Sequence, residues 1–216
     1  RMLGDFLRTE SRTDEEVQSS IEIVGRENFD EALAKGKGVI AVGGHFGNFE
    51  RGSQWCTANG IPLHAVARDA NNSTLNDQVA ELRANAGAKV LSRGNAIRGI
   101  LDTLKRNEIV AILPDQNARE VFVEFFGKPC GCVLGPAVLH ERTGAPLIPT
   151  YTVWLGPGKY RLVVGAPLKP AEGYENSQEA LTRAVNASLE EMIRQYPEQW
   201  LWLHDRWKSA REKGLL

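Results

Sequence analysis

The feature that most constrains this chain is a series of short, largely apolar runs, each too short to be a helix and most of them separated from the next by a segment of helical spacing. The runs are Val39–Val42, Leu63–Ala67, Lys89–Leu91, Ile109–Leu113, Leu147–Val153 and Tyr160–Val164. Runs of this size bounded by turn residues read as buried strands. Between them, "SSIEIVGRENFDEALAKGKG" carries Ile23, Phe29, Ala32 and Leu33 before a glycine stop, which predicts a helix. "NNSTLNDQVAELRANAG" puts Leu75, Val79 and Leu82 on one face, with Asn72 or Ser73 as N-cap and Gly87 just past the end. "GNAIRGILDTLKRNE" repeats the pattern with Ile97, Leu101 and Leu104, and "SQEALTRAVNASLEEMIRQYPEQ" predicts a long amphipathic helix closed by Pro197. Strands alternating with helices imply an α/β fold: a single layered domain over residues 1–216, with a mixed, mostly parallel β-sheet flanked by helices. Ligands of such folds gather beyond the carboxyl ends of the strands.

Composition excludes several functions. The net charge is −1, so no global field points to nucleic acid. Cys130 and Cys132 are too close in sequence for an ordinary disulfide, Cys56 stands alone, and no second Cys or His pair has zinc-site spacing. No apolar run reaches the roughly 18 residues that span a bilayer. The chain opens at Arg1, so we expect it to be a piece of a longer protein. Residues 1–24 then read as the tail of a membrane-associating helical region, with Met2, Leu3, Phe6 and Leu7 forming an apolar face, or equally as a first core helix.

The first strand ends on chemistry. "VIAVGGHFGNFERG" delivers His45 just past Val42, and Glu50 follows after four intervening residues. Gly43 and Gly44 remove side-chain bulk ahead of the histidine, which would leave room for substrate. Gly47-Asn48 offers a tight turn and a helix cap, placing Glu50 in the first turn of the next helix. A carboxylate on Nδ1–H would fix the imidazole tautomer and leave Nε2 as a general base, and Glu50 is the candidate for that role. The helix N-terminus would supply backbone N–H groups to an oxyanion. The arrangement resembles a catalytic triad without its serine, the nucleophile being a substrate hydroxyl. The plainer alternative is a capped helix whose Glu50 complements the dipole.

These residues resemble a known family. "HFGNFE" is similar to the H-x4-D/E motif of glycerolipid-type acyltransferases, and with "GKGVIAVGG" before it the chain resembles the late acyltransferases of lipid A biosynthesis. "ILPDQN", "VFVEFFGKP", "TGAPLIPTY" and "YPEQWLWLHDRWK" follow in the family's order, so the resemblance runs from about Gly25 to Lys208. It implies a glycerolipid acyltransferase-like fold, with His45 activating an acceptor hydroxyl and Glu50 orienting it. It also implies substrate contacts from Arg68, Arg83, Asp115 and Asn48. The implied donor is an acyl-carrier protein or coenzyme A thioester and the acceptor a lipid A precursor or related glycolipid. The site would be peripheral, at the cytoplasmic face of a bacterial inner membrane. A thiol leaves readily, so neither a metal nor an organic cofactor is expected. A thioesterase using the same dyad on water, or a noncatalytic lipid-binding module, are the alternatives.

Other residues have two readings each. Arg68, Arg83, Arg93, Arg98 and Arg119 are either surface charge or a phosphate-binding rim. "VFVEFF" is either a core hairpin or the wall of an acyl groove. Trp200, Trp202 and Trp207 either clamp the last helix or face a membrane interface. His64 and His204 read as structural, and Ser53 and Cys56 lack the context of a covalent nucleophile.

Overall fold

The computed structural model describes residues 13–67, 89–92 and 96–216. Residues 1–12, the helix expected over 71–87, and Arg68, Arg83 and Arg93 lie outside the described residues.

Described strands are β1 (Ile21–Val24), β2 (Val39–Val42), β3 (Leu63–Ala67), β4 (Lys89–Ser92), β5 (Ile109–Ile112), β6 (Val121–Phe125), β7 (Lys128–Cys132), β8 (Leu147–Gly156) and β9 (Lys159–Val164). Described helices are α1 (Asp14–Ser19), α2 (Arg26–Leu33), α3 (Phe49–Ala58), α4 (Ala96–Lys105), α5 (Gly135–Thr143), α6 (Ser177–Gln195) and α7 (Lys208–Glu212). Seven strands form one sheet in the order β1-β9-β8-β2-β5-β3-β4, and β6 and β7 form a separate antiparallel hairpin. β8, β2, β5, β3 and β4 are mutually parallel, whereas β9 runs antiparallel to β8.

β2 shows why the sheet needs helices on both faces. Its four residues are all buried, and their side chains alternate between two cores. Val39 and Ala41 join Phe29, Trp55 and Cys56 from α2 and α3. Ile40 and Val42 join Ile100, Leu104, Ala137 and Leu181 from α4, α5 and α6. Each fully buried Val, Ile or Phe contributes roughly 1.5–3 kcal/mol by leaving water. A third cluster holds the hairpin against the C-terminal half of α6 and Trp200.

One sequence expectation is corrected here. Ile21–Val24, assigned to a helix, is a strand on the sheet edge, parallel to β9. Two β-branched isoleucines at period two favour the extended form, and Gly25, at φ 79°, turns the chain before α2 starts. The two readings of "VFVEFF" also resolve. Val121, Val123 and Phe125 are buried in the third cluster, so the segment is a core hairpin.

Candidate active site

His45 is placed by the end of β2. Beyond Val42 the chain passes Gly43 and Gly44, reaches His45, and bridges the C-terminal segment and β8 through Phe46–Trp200 and Gly47–Thr152 before entering α3. Gly43 and Gly44 line the cavity beside His45, and the absence of a Cβ also lets the chain approach its neighbours. A Cβ on Gly43 would lie 2.6 Å from the Thr150 carbonyl oxygen, and one on Gly44 would meet Asp115 Oδ2 at 3.1 Å. Gly47, at φ 54°, comes so close to β8 that a Cβ would lie 1.9 Å from Thr152 O. Asn48 caps α3, its Oδ1 accepting from the Arg51 N–H at 3.2 Å. Its side chain is buried in that role, and it is not among the cavity-lining residues.

The carboxylate on the histidine is Asp115. His45 Nδ1 lies 2.7 Å from Asp115 Oδ1, and the His45 backbone N–H donates to Asp115 Oδ2 at 2.8 Å. The Trp200 indole N–H also donates to Oδ2, at 3.0 Å. The Nδ1 partner expected from the sequence was Glu50; the structure gives that place to a residue seventy positions further on. The physical reason is the sheet register. β2 and β5 are neighbours with Val42 opposite Ile112, and His45 and Asp115 each lie three residues past that pair. Glu50, carried into α3, lines the same cavity from the first helical turn.

Burial would raise the Asp115 carboxyl, but donors from the His45 ring, Trp200 and the His45 backbone outweigh it and hold it below the usual carboxylate range. An ionised Asp115 can only accept, so in the neutral imidazole the proton sits on Nδ1 and the lone pair on Nε2. The His45 side chain is 26% exposed and Asp115 only 3%, which leaves the ring open to solvent and its anchor sealed. The Phe49 ring stands edge-on to the imidazole at 5.5 Å.

The ring opens on a cavity of about 430 Å³. One part of its wall is Leu113, Pro114, Gln116, Asn117 and Ala118 beside His45. Another runs under α3, between Gly52, Ser53 and Cys56 and the sheet residues Ala41, Ala65 and Ala111. Three alanines in adjacent strands, facing the small side of a helix, leave an apolar trough. Among the described residues no cluster of three His, Cys, Asp or Glu side chains could hold a metal ion.

The Gln199–Ser209 segment braces the two loops that carry His45 and Asp115. Gln199 O accepts from Gly47 N–H at 2.8 Å and His45 O accepts from Leu201 N–H at 3.0 Å. His204 Nε2 accepts the Asn117 N–H at 2.6 Å. Trp200, read from the sequence as either a clamp or an interfacial residue, and His204, read as structural, thus support the loop that carries Asp115. Trp202 and Leu203 on the same segment are 53% and 96% exposed. Arg98 lies exposed on α4, and Arg119 pairs with Glu212.

The profile of the bacterial lipid A biosynthesis acyltransferase family matches residues 1–209. The chain belongs to that family. Its relatives include the lipid A biosynthesis palmitoleoyltransferase of Escherichia coli K12, 29% identical over 203 residues, which are 91% of this chain and 64% of that protein. The lauroyltransferase of the same strain is 28% identical over 88% of this chain and 63% of its own length. A phosphatidylinositol mannoside acyltransferase of Mycobacterium tuberculosis is 27% identical over 86% of this chain and 59% of its own. The chain therefore spans about 59–64% of the length of these relatives. No described helix of this family member is long and apolar enough to cross a membrane.

Proposed function

We propose that this chain carries the catalytic site of an O-acyltransferase, which moves a fatty acyl group from an acyl-carrier protein or coenzyme A thioester to a hydroxyl of a lipid A precursor or a related glycolipid. The observation that carries the reading is the buried Asp115 carboxylate on Nδ1 of a half-open His45 at the rim of an apolar trough. The family membership and relatives named for lipid A and phosphatidylinositol mannoside acylation support it.

In this mechanism His45 Nε2 removes the proton of the acceptor hydroxyl as its oxygen attacks the thioester carbonyl. Asp115 keeps the proton on Nδ1 and stabilises the imidazolium that forms. Backbone N–H groups at the start of α3 face the developing oxyanion, the helix dipole adding to their effect. The thiol, of ordinary pKa about 8.5, departs with the imidazolium proton. The acyl chain of the donor lies in the trough under α3. Glu50, in the first turn of that helix, orients the acceptor, and Arg68 and Arg83 bind its anionic groups. The site works at the cytoplasmic face of a bacterial inner membrane, with Trp202 and Leu203 touching the lipid interface.

Mass spectrometry of lipids from cells making the active full-length protein or its His45→Ala variant tests the reading. The active protein should add a glycolipid species heavier by one acyl chain. Identical lipid profiles in the two strains, with both proteins folded and present, would contradict it.

A further inference from the structure

Outside the cavity, Arg206 is sealed in the protein at 1% exposure. Its Nη1 donates to the carbonyl oxygens of Gln116, at 3.1 Å, and Gly131. Its Nη2 donates to Cys132 Sγ at 2.9 Å and Asn186 Oδ1 at 3.4 Å, and the group lies over the Phe125 ring at 5.5 Å. Carbonyls, an amide and an aromatic ring are all neutral. The nearby carboxylate Glu190 is taken by Arg183 at 2.9 Å and Arg194 at 3.7 Å, and Glu124 by Arg183 at 3.1 Å. None of the described ion pairs includes Arg206.

A guanidinium cannot shed its proton, and burying it without a counter-charge is costly. Its one hydrogen-bond partner able to ionise is Cys132. Two N–H donors point at that sulfur, from Arg206 Nη2 and from Asn186 Nδ2 at 3.4 Å. The 2.9 Å contact is an ordinary length for an N–H···O bond and therefore short for the larger sulfur atom. A neutral thiol donating to the Cys130 carbonyl, 3.4 Å away, would leave the arginine unbalanced.

We propose that Cys132 is held as a buried thiolate, the counter-ion of Arg206, and that this ion pair is a positioning device for the loop carrying Asp115. The Cys130 thiol beside Cys132 pulls its pKa down against burial, and the Arg206 charge with the Asn186 and Arg206 donors pulls it further. Cys130, pushed up by the same pairing and by burial, keeps its proton, its Sγ lying 3.5 Å from the Arg206 carbonyl oxygen. The positioning follows from Nη1, which holds the carbonyl of Gln116, the residue next to Asp115. The thiolate assignment is independent of the proposed acyl transfer; the positioning role rests on it.

The test is ultraviolet thiolate absorbance of the whole native chain, titrated in wild type, Cys132→Ser and Cys130→Ser. At neutral pH the wild type should show about one thiolate per chain, and Cys130→Ser, whose hydroxyl can stand in for the Cys130 donor, should keep most of it. Cys132→Ser and denatured wild type should show almost none, because a free thiol titrates at about 8.5. Native wild type with no more thiolate at neutral pH than Cys132→Ser overturns the assignment, whatever the variants' stability. For the positioning role, Cys132→Ser should lower kcat at least about tenfold with little change in KM, and Cys132→Asp, which restores the charge, should recover part of it. An Asp variant no better than the Ser variant overturns that role and leaves the thiolate standing on its absorbance.

Discussion

Asp115→Asn changes one atom and should abolish most of the activity. The carboxylate receives three N–H groups: two on Oδ2, from the His45 backbone and Trp200, and one on Oδ1, from His45 Nδ1. In the variant, an amide oxygen at the Oδ2 position keeps the first two bonds. The amide NH2 then faces Nδ1, which must become an acceptor, so the ring proton moves to Nε2 and no base faces the cavity. The flipped amide keeps the tautomer but sets its NH2 against two donors, losing two hydrogen bonds at about 1 kcal/mol each. The wrong tautomer is therefore favoured. The corresponding loss in a catalytic triad is about 10⁴-fold, so we expect a fall of about 10³–10⁴ in kcat, or roughly 4–5.5 kcal/mol of transition-state stabilisation. The assay is acyl transfer to a hydroxyl acceptor at fixed pH, with thermal melting to confirm folding, and with Glu50→Gln measured alongside. A folded Asp115→Asn protein within about tenfold of wild type, beside a Glu50→Gln protein that has lost its activity, would refute the reasoning and return the Nδ1 role to Glu50.

Three further outcomes can be checked. Arg68→Ala or Arg83→Ala should weaken use of a phosphorylated acceptor more than use of its dephosphorylated analogue, and equal losses on both would show that these arginines do not bind the phosphate. His204 is held below its ordinary pKa, first by burial and then by the Arg206 charge, so its folded form resists the proton that the unfolded chain accepts at about 6.5. Its contribution to stability is present above pH 6.5 and is lost as pH falls through the lower folded value; a urea midpoint that does not fall between pH 7 and 5 faster in wild type than in His204→Asn would refute this. Trp202→Ser and Leu203→Ser should each reduce sedimentation with liposomes while leaving transfer to detergent-dispersed acceptor within about twofold, surface changes of this kind being small for the fold; unchanged sedimentation would remove the interfacial role.

Much of the sheet is legible from local pattern, because six strands are short apolar runs whose limits are set by turn residues. β1 is not, since Ile21–Val24 is short and abuts a helical segment, and only its pairing with β9 decides the matter. His45 is readable because an apolar strand ends three residues before it and the glycines beside it clear side-chain bulk; that they also allow close backbone approach appears only in the structure. Its partner is not readable. Asp115 sits at the same offset beyond β5, yet β3 and β4 intervene in sequence, and nothing local says that β5 lies beside β2. Glu50 was the nearer carboxylate along the chain, and spacing alone favours the nearer one. Trp200 and Arg206 were hidden for a related reason: their contacts to Asp115, Gln116 and Cys132 cross 74 to 90 residues of sequence.

In the proposed mechanism His45 activates a lipid hydroxyl, instead of water, to receive the acyl group. The direct measurement is a product balance: purified protein, a labelled acyl thioester, and a lipid A precursor or phosphatidylinositol mannoside acceptor, with acylated lipid, free fatty acid and released thiol counted together. We expect one acylated lipid per thiol released, little free fatty acid, and a loss of at least about 10²-fold on His45→Ala in a folded protein. Thiol release matched by free fatty acid with no acylated lipid, or transfer that survives His45→Ala, would contradict it.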